Sequence, residues 1–497
     1  MEIETSYIQK TSGLKAKDYI GYAFGDTACC LVFGLVTSLL QKFYTDVFLL
    51  NPLWIMIMMI IARIWDAIND PMMGTICDAI KPHKSGRYKI WFLYAAIPLM
   101  VTAVLMFTKW PGLGNTPDHV GTFIYASITY ILFGMAYTML QIPYGSLANV
   151  VTTDEKERSK LSTYRAIGAG LGSLPVIIIA SFCYKTRVDT NGNPILGENG
   201  LKLQDMQATP VLIGAIVLSL VAGVMLLCAY KMNKERVQIV VSSDKKDKTK
   251  TIKTIKTLFK NRSFISISCV SMLVLASQTF TQSYYLYLFN DFFSKNWMNM
   301  VATMCTYAPM AIFLLFIPKM IRKFGKKEIC AVGTAISAIA NIALALAKPL
   351  MPECWWLFLI LCFVSGSGQV FIILQLWSMA TDAIDEIEIK TGLREDGTAY
   401  AFFTFFRKIG LIIAAVAVNG ALLAMNYITE KGACQTSDTL NKMYYMATII
   451  PGVMFAIMSL ILFFAYPLNK KKLQSLQIEK EEKLKEDYQN NKIKIDN

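Results

Sequence analysis

Charge is scarce in this chain. Of its 497 residues only 17% are Asp, Glu, Lys or Arg while 54% are hydrophobic; an ordinary soluble domain carries about 25% charge. Histidine occurs twice, as His83 and His119, in polar stretches between apolar runs, so a His relay inside a membrane is excluded. The eleven cysteines stand singly or, at Cys29 and Cys30, side by side. None has the CxxC spacing of a metal site, and they read as small apolar helix residues. No GxxxxGK[ST] run exists to power work with ATP. No nucleophile, base and metal set converges, so no enzyme and no bound cofactor are expected. A sensor would need an output domain, and the longest polar pieces are a linker and a tail.

What fills the chain instead is apolar runs of about 20 residues or more, each long enough to cross about 30 Å of hydrocarbon. Twelve are expected, at 20–48, 51–79, 90–109, 120–150, 162–184, 208–232, 263–291, 297–321, 328–348, 353–384, 397–425 and 442–466. The fold class is therefore all-α, a polytopic membrane protein. The segment before Tyr19 is polar, with Lys10, Lys15 and Lys17, and is not expected to be a signal peptide.

The net charge of +14 does not point to nucleic acid, because Lys and Arg crowd alternate loops. Lys81, Lys84, Arg87 and Lys89 form one group, Lys156, Arg158 and Lys160 another, Lys319, Arg322, Lys323, Lys326 and Lys327 a third. By the positive-inside bias both termini are cytoplasmic in a multi-pass protein of the cell membrane, with some attraction to anionic lipid. The basic run SSDKKDKTKTIKTIK divides the chain: residues 1–232 as an N-terminal six-helix half, 233–262 as a cytoplasmic linker, 263–469 as a C-terminal six-helix half, 470–497 as a charged tail. Features recur across the divide. DAIKPHKSGRYK (78–89) after the second span corresponds to PKMIRKFGKKE (318–328) after the eighth, each turning about a glycine, Gly86 or Gly325. Two pseudo-symmetric halves are expected. Residues 185–206, with NGNP, read as an external turn region. The tail from Leu473 reads as a solvated, frayed segment or a short surface helix.

The chemistry concentrates in RIWDAINDP, residues 63–71. A carboxylate near the bilayer centre costs about 2.5 to 3.5 kcal/mol on insertion scales, so Asp66 and Asp70 imply a partner, a cation or water. Four residues apart on a helix, they share a face, and Asn69 adds a neutral oxygen beside them. Entering near Pro52, the helix carries them about 21 and 27 Å inward. Arg63, three residues before Asp66, offers a second reading of that acid as half of a structural ion pair. In the fourth span, YTMLQIPYGSL places Thr138 and Gln141 one turn apart, before Pro143 interrupts the helix and frees the carbonyl of residue 139. These are the oxygen ligands a small hard cation takes; Thr138 in a helix-packing role is the alternative.

In the eleventh span Arg407 and Lys408 lie near midplane; at most one faces a cavity comfortably, and Lys408 is favoured, against a reading in which they snorkel or neutralise an acid. Asp26 is either a cavity residue or a helix-end partner of basic loops. Tyr22, Trp65, Tyr144, Tyr284, Tyr285 and Trp377 lie near polar positions within spans. Ring faces stack on sugars while carboxylates accept hydroxyl hydrogens, so acids among aromatics suit a carbohydrate; each ring taken singly reads rather as lipid-facing or as packing.

RIWDAINDPMMG, YTMLQIPYGSL and KSGRYKIW resemble the glycoside, pentoside and hexuronide:cation symporter family, of which the melibiose carrier is a member, over about Asp18 to Lys472. The resemblance implies the major facilitator fold and alternating access, with a sugar or glycoside imported by symport with Na⁺ or H⁺. It places Asp66, Asp70, Asn69 and Thr138 at the cation site, Lys408 near it, and Arg165 as a basic residue of the fifth span. Gln141 stands where the melibiose carrier has an acid of sugar and cation binding, and Gly145 where it has an aromatic. The substrate-side residues are expected to be Asp26, Gln141, Arg165, Trp377 and Lys408. Apart from solute, coupling cation and lipid, no nucleic acid and no obligate protein partner are implied. The rival expectation is a major facilitator carrier of a lipid or drug.

Overall fold

A computed structural model describes residues 8–9, 13–79, 86–114, 116–152, 155–196, 202–238, 258–313, 316–351, 353–391, 396–429, 434–476 and 478–479. Thirteen helices carry the fold among them: α1 (Ala16–Asp46), α2 (Pro52–Ala79), α3 (Trp91–Met106), α4 (Val120–Val151), α5 (Glu155–Phe182), α6 (Ala208–Met232), α7 (Arg262–Phe292), α8 (Trp297–Phe313), α9 (Ile317–Phe324), α10 (Lys326–Leu346), α11 (Trp355–Thr391), α12 (Asp396–Ala424) and α13 (Ser437–Ala465). Each of the twelve expected spans contains a helix, and ten of these are long and apolar enough to cross a membrane. The other two are short: α3 has 16 residues and α8 has 17. The expected eighth span, 297–321, does not run through. The short α9 follows α8 and carries Lys319, Arg322 and Lys323, charged groups that suit a polar boundary better than hydrocarbon.

Helices also outrun the apolar runs. α5 begins at Glu155 and α11 ends at Thr391, several residues into charged sequence. Backbone bonding does not stop at the hydrocarbon edge, and helix-forming Glu, Lys and Arg continue it in water. α2 starts where its sequence dictates: the Asn51 side chain accepts the Leu53 N–H at 2.9 Å, and Pro52 occupies the first turn, where no N–H is needed. α4 continues past Pro143 to Val151 rather than breaking there. One lost bond inside a long packed helix is tolerated when its neighbours hold the turn.

By contacts the described chain forms two compact units. Unit 1 comprises residues 1–244, 282–300 and 418–443, unit 2 comprises 245–281, 301–417 and 444–497. In unit 1, α1 packs on α5 and α6, α3 on α4 and α6, and α2 on α4; in unit 2, α10 packs on α11. Lipid tails are as apolar as leucine, so close backbone approach replaces hydrophobic collapse as the packing force. On α5 a Cβ at Gly168 would stand 2.4 Å from the Ala23 carbonyl oxygen, and one at Gly172 would stand 2.5 Å from that of Thr27. Thr27 Oγ1 seals this seam by donating to the Gly168 carbonyl at 3.0 Å.

Small antiparallel pairings complete the unit. β1 (Ile8–Gln9) pairs with β4 (Val237–Gln238), and β2 (Tyr184–Thr186) with β3 (Gln204–Met206). The second lies in the expected turn region 185–206, where Asp205 ion-pairs with Arg187 and, chiefly by hydrogen bonding, holds that guanidinium above its ordinary pKa. Both glycines of the recurrent turns have positive φ, 119° at Gly86 and 102° at Gly325, which explains the residue type. At the first of them the Glu235 carboxylate accepts the backbone N–H groups of Arg87, Tyr88 and Lys89 at 2.7 to 2.8 Å. Most of the linker and the end of the tail lie outside the described residues; 470–476 is helical.

Gly172→Ala should lower stability by about 1 to 3 kcal/mol through overpacking. Gly170→Ala, whose added Cβ meets nothing within 4 Å, should leave it unchanged. Thermal unfolding of the purified variants in detergent checks both.

Candidate functional site

The acids of RIWDAINDP lie where α2 faces α4. Asp66 is buried and accepts a bond from Arg63 Nη1 at 2.8 Å. The same guanidinium donates to the Tyr130 hydroxyl at 2.9 Å, with Tyr130 on α4. The ion-pair reading of Asp66 is thus correct as geometry, and a tyrosine that the sequence reading did not single out completes it. Gly134, also on α4, makes room: a Cβ there would stand 3.1 Å from Asp66 Oδ1. Bulk at that position would compete with the carboxylate.

One turn further along α2, Asp70 is half-buried and accepts the Thr138 hydroxyl at 3.0 Å. The expected meeting of the second and fourth spans is therefore present atom to atom. Asn69 is buried, and its Nδ2 has no hydrogen-bond partner among the described residues. An amide that is buried and incompletely satisfied beside two carboxylates costs free energy unless a ligand or water completes it. Gln141 stays exposed, one turn past Thr138. The oxygens of Asp66, Asp70, Asn69 and Thr138 are the chemical type a small monovalent cation takes.

A second acidic place lies on α1. Asp26 is 8% exposed and ion-paired at 3.2 Å with Arg165 Nε of α5. Asp26 thus pairs inside unit 1 with a residue of a neighbouring helix. The Arg165 guanidinium also lies 5.3 Å from the centroid of the Tyr144 ring of α4. Tyr144 stacks on Tyr22 at 4.8 Å and donates its hydroxyl to the Tyr22 carbonyl at 2.9 Å. With Gly25 leaving no space for a side chain against Tyr144, the first, fourth and fifth helices are locked here.

Most of the expected sugar-stacking rings are covered by protein: Tyr22, Tyr144, Tyr284 and Tyr285 are all buried, and Trp65 is half-buried. Trp377 is 41% exposed. It belongs to unit 2, where the Arg407 guanidinium lies 5.3 Å from its ring centroid and Phe403 stands edge-on at 5.0 Å. Lys408, adjacent on α12, is half-buried. Of the neighbouring basic pair, Arg407 is thus the one set over the aromatic. Its place one turn after Phe403 was a usable signal, since residues four apart share a face.

The profile of the family described as MFS/sugar transport protein matches residues 21–470. An uncharacterized symporter of Bacillus subtilis, YnaJ, is 28% identical over 92% of this chain and 93% of its own length. A glucuronide carrier protein homolog of Escherichia coli is 25% identical over 94% of this chain and 95% of its own. Among solved structures, the inward open conformation of the xylose transporter XylE from E. coli superposes with a TM-score of 0.61 at 13% identity, over 93% of this chain and 98% of that one. The D-xylose-proton symporter superposes at 0.59 with 14% identity, over 91% and 98%. These likenesses are of fold, and they agree with the all-helical membrane architecture.

Arg63→Met should destabilise the protein by about 3 kcal/mol, because it leaves Asp66 buried without its cation. Arg63→Met combined with Asp66→Asn should recover most of that loss, since the charge left behind is gone. Thermal unfolding of the single and double variants measures the coupling.

Proposed function

We propose that this chain, which belongs to the MFS/sugar transport protein family, carries a sugar or glycoside inward through the cell membrane together with Na⁺ or H⁺, by alternating access and with both termini cytoplasmic. The observation that supports this most is the α2–α4 carboxylate set. Asp66 and Asp70 bring two negative charges and Arg63 one positive, with Arg63 already bonded to Asp66. A monovalent cation or a proton can join these carboxylates, with the Asn69 amide and the Thr138 hydroxyl beside them.

Coupling follows from like charges set on one helix face. Without a cation, Asp70 and Asp66 repel one another, with Asp70 accepting the Thr138 hydroxyl. A bound Na⁺, or a proton on Asp70, removes the repulsion and draws α4 onto α2. If the solute binds better to the tightened arrangement, it must raise cation affinity by the same factor. The substrate side of this reading uses Asp26 and Arg165 as polar ends, with Gln141 as a further contact. A carboxylate and a guanidinium together can bond both hydroxyl hydrogens and hydroxyl oxygens. The names of relatives support a glycoside or glucuronide as solute, in keeping with a chain whose family works by transport rather than catalysis.

Asp70→Asn should abolish cation-driven accumulation while leaving expression and thermal stability near parental values. Uptake into vesicles of glucosides, galactosides, xylosides and glucuronides, with Na⁺ and pH gradients imposed separately, is the measurement. Undiminished accumulation in the variant would overturn the assignment.

A further inference from the structure

Asp46 closes α1 about 30 Å along its axis from Asp26, at 1.5 Å per residue. There a cavity of about 320 Å³ opens between the ends of α1 and α7, the start of α6 and the hairpin of β2 and β3. Small-molecule sites run from about 300 to 1,000 Å³, so this one has room for a small solute. Its lining residues all belong to unit 1. The hairpin is fastened to the chain just past α7: Gln204 Nε2 donates to the Ser294 carbonyl at 2.8 Å, and Gln204 Oε1 accepts the Asn296 amide. Arg187 and Asp205 pair across the hairpin. At its tip the Asp189 carboxylate accepts the backbone N–H groups of Asn191 and Asn193, both at 2.8 Å.

The lining states what kind of solute fits. A π-turn, Leu288–Phe292, ends α7 and contributes Asn290 and Asp291 to the wall; such turns are frequent at functional sites. Asn290 is 2% exposed, and its Nδ2 donates to the Gln204 carbonyl at 3.1 Å, while its Oδ1 has no hydrogen-bond partner among the described residues. A buried amide oxygen in that position calls for a donor, and a solute hydroxyl supplies one. The carboxylates of the wall already have cations beside them. Asp205 pairs with Arg187, and Lys42 Nζ lies 3.2 Å from Asp46 Oδ2 and 2.7 Å from Asp291 Oδ2. Among the described residues neither sign of charge commands the cavity, so hydroxyls rather than a net charge are what it can grip. Lys109 and Arg187 offer donors, the acids and Asn290 offer acceptors, and Leu49, Met206 and Leu440 give the wall apolar area. A sugar ring, apolar on its faces and ringed by hydroxyls, meets both needs.

We propose that this cavity is a second solute site, roofed by the hairpin and separate from the Asp26 and Arg165 pair, which binds a neutral, hydroxyl-rich solute of mono- or disaccharide type. That it faces outward, where it would meet solute first, rests on the transport reading with cytoplasmic termini. Its binding does not, so each can fail while the other stands.

The test uses the full chain purified into lipid nanodiscs, with no ion or pH gradient. Thr209 lines the cavity and is exposed, so Thr209→Cys puts a thiol in the wall. A small water-soluble thiol reagent modifies it, and peptide mass spectrometry separates it from the native cysteines. Glucosides, galactosides and xylosides are the neutral probes and a glucuronide the anionic one. At least one neutral glycoside should slow modification saturably; protection by none of them, or by the glucuronide alone, overturns the proposal. Adding Asn290→Leu should raise the half-protecting concentration about three- to tenfold, the loss of one hydrogen bond, and an unchanged concentration overturns the site. Should that variant not fold, Lys109→Met decides by the same rise or its absence. The rate without sugar reports access and the half-protecting concentration reports binding, so a change that merely loosens the hairpin moves the first and not the second. Asp26→Asn should leave protection as it was; its loss would trace the effect to the first site and overturn the second. Protection without uptake by the unaltered protein would count against the transport reading alone.

Discussion

A charge removed from water must find an opposite charge, and in this chain nearly every structural decision inside the helices answers to that requirement. Arg63 satisfies Asp66, Arg165 satisfies Asp26, Lys42 sits between Asp46 and Asp291, and Lys326 holds Asp382 at 2.7 Å. The pairs Arg165–Asp26, Lys42–Asp291 and Lys326–Asp382 join residues far apart in sequence and so specify which helices are neighbours, and Arg63 reaches α4 as well through Tyr130. The glycines of α5 then allow the backbones of such neighbours to approach. Ion pairing selects the neighbours, and close packing, in the absence of a hydrophobic drive between helices in lipid, holds them.

The pairs are set in different surroundings. Asp26 and Arg165 cancel. On α2, Asp66 meets the Arg63 guanidinium while Asp70, one turn on, accepts the Thr138 hydroxyl, and Asp46 and Asp291 of α1 and α7 meet the Lys42 ammonium. A carboxylate in low dielectric is a place where a small cation, a proton or water changes the preferred arrangement of helices. Beside Asp66 and Asp70 stand the Thr138 hydroxyl and the incompletely bonded Asn69 amide. The Lys42 ammonium is covered by a tyrosine ring, and its carboxylates border a cavity. The first set is the one on which the transport proposal relies.

Much of this was legible in the chain. The bounds of α2, α4 and α6 follow their apolar runs to within about a residue, because hydrophobic length is dictated by the membrane. That Asp66 and Asp70 share a helix face was readable from their spacing, whereas the bond from Thr138 to Asp70 joins two helices. The i,i+4 spacing of Lys42 and Asp46 in an apolar span was equally visible as an anomaly. Its partners were not, because Asp291 and Tyr427 lie roughly 250 and 385 residues further on. Tyr130 and Gly134 were invisible for the same reason: neither is chemically unusual in a span. Tyr22 and Tyr144 stack on one another, the packing role that each ring taken singly suggested.

The sequence alone therefore determined the quantities set by one dimension: apolar length, helical face, the alternation of basic loops, and the presence of carboxylates too costly to be accidental. Tertiary structure decided which charge each of them meets. That choice depends on contacts across hundreds of residues, and the free energy of a buried charge is a property of its surroundings rather than of its place in the chain.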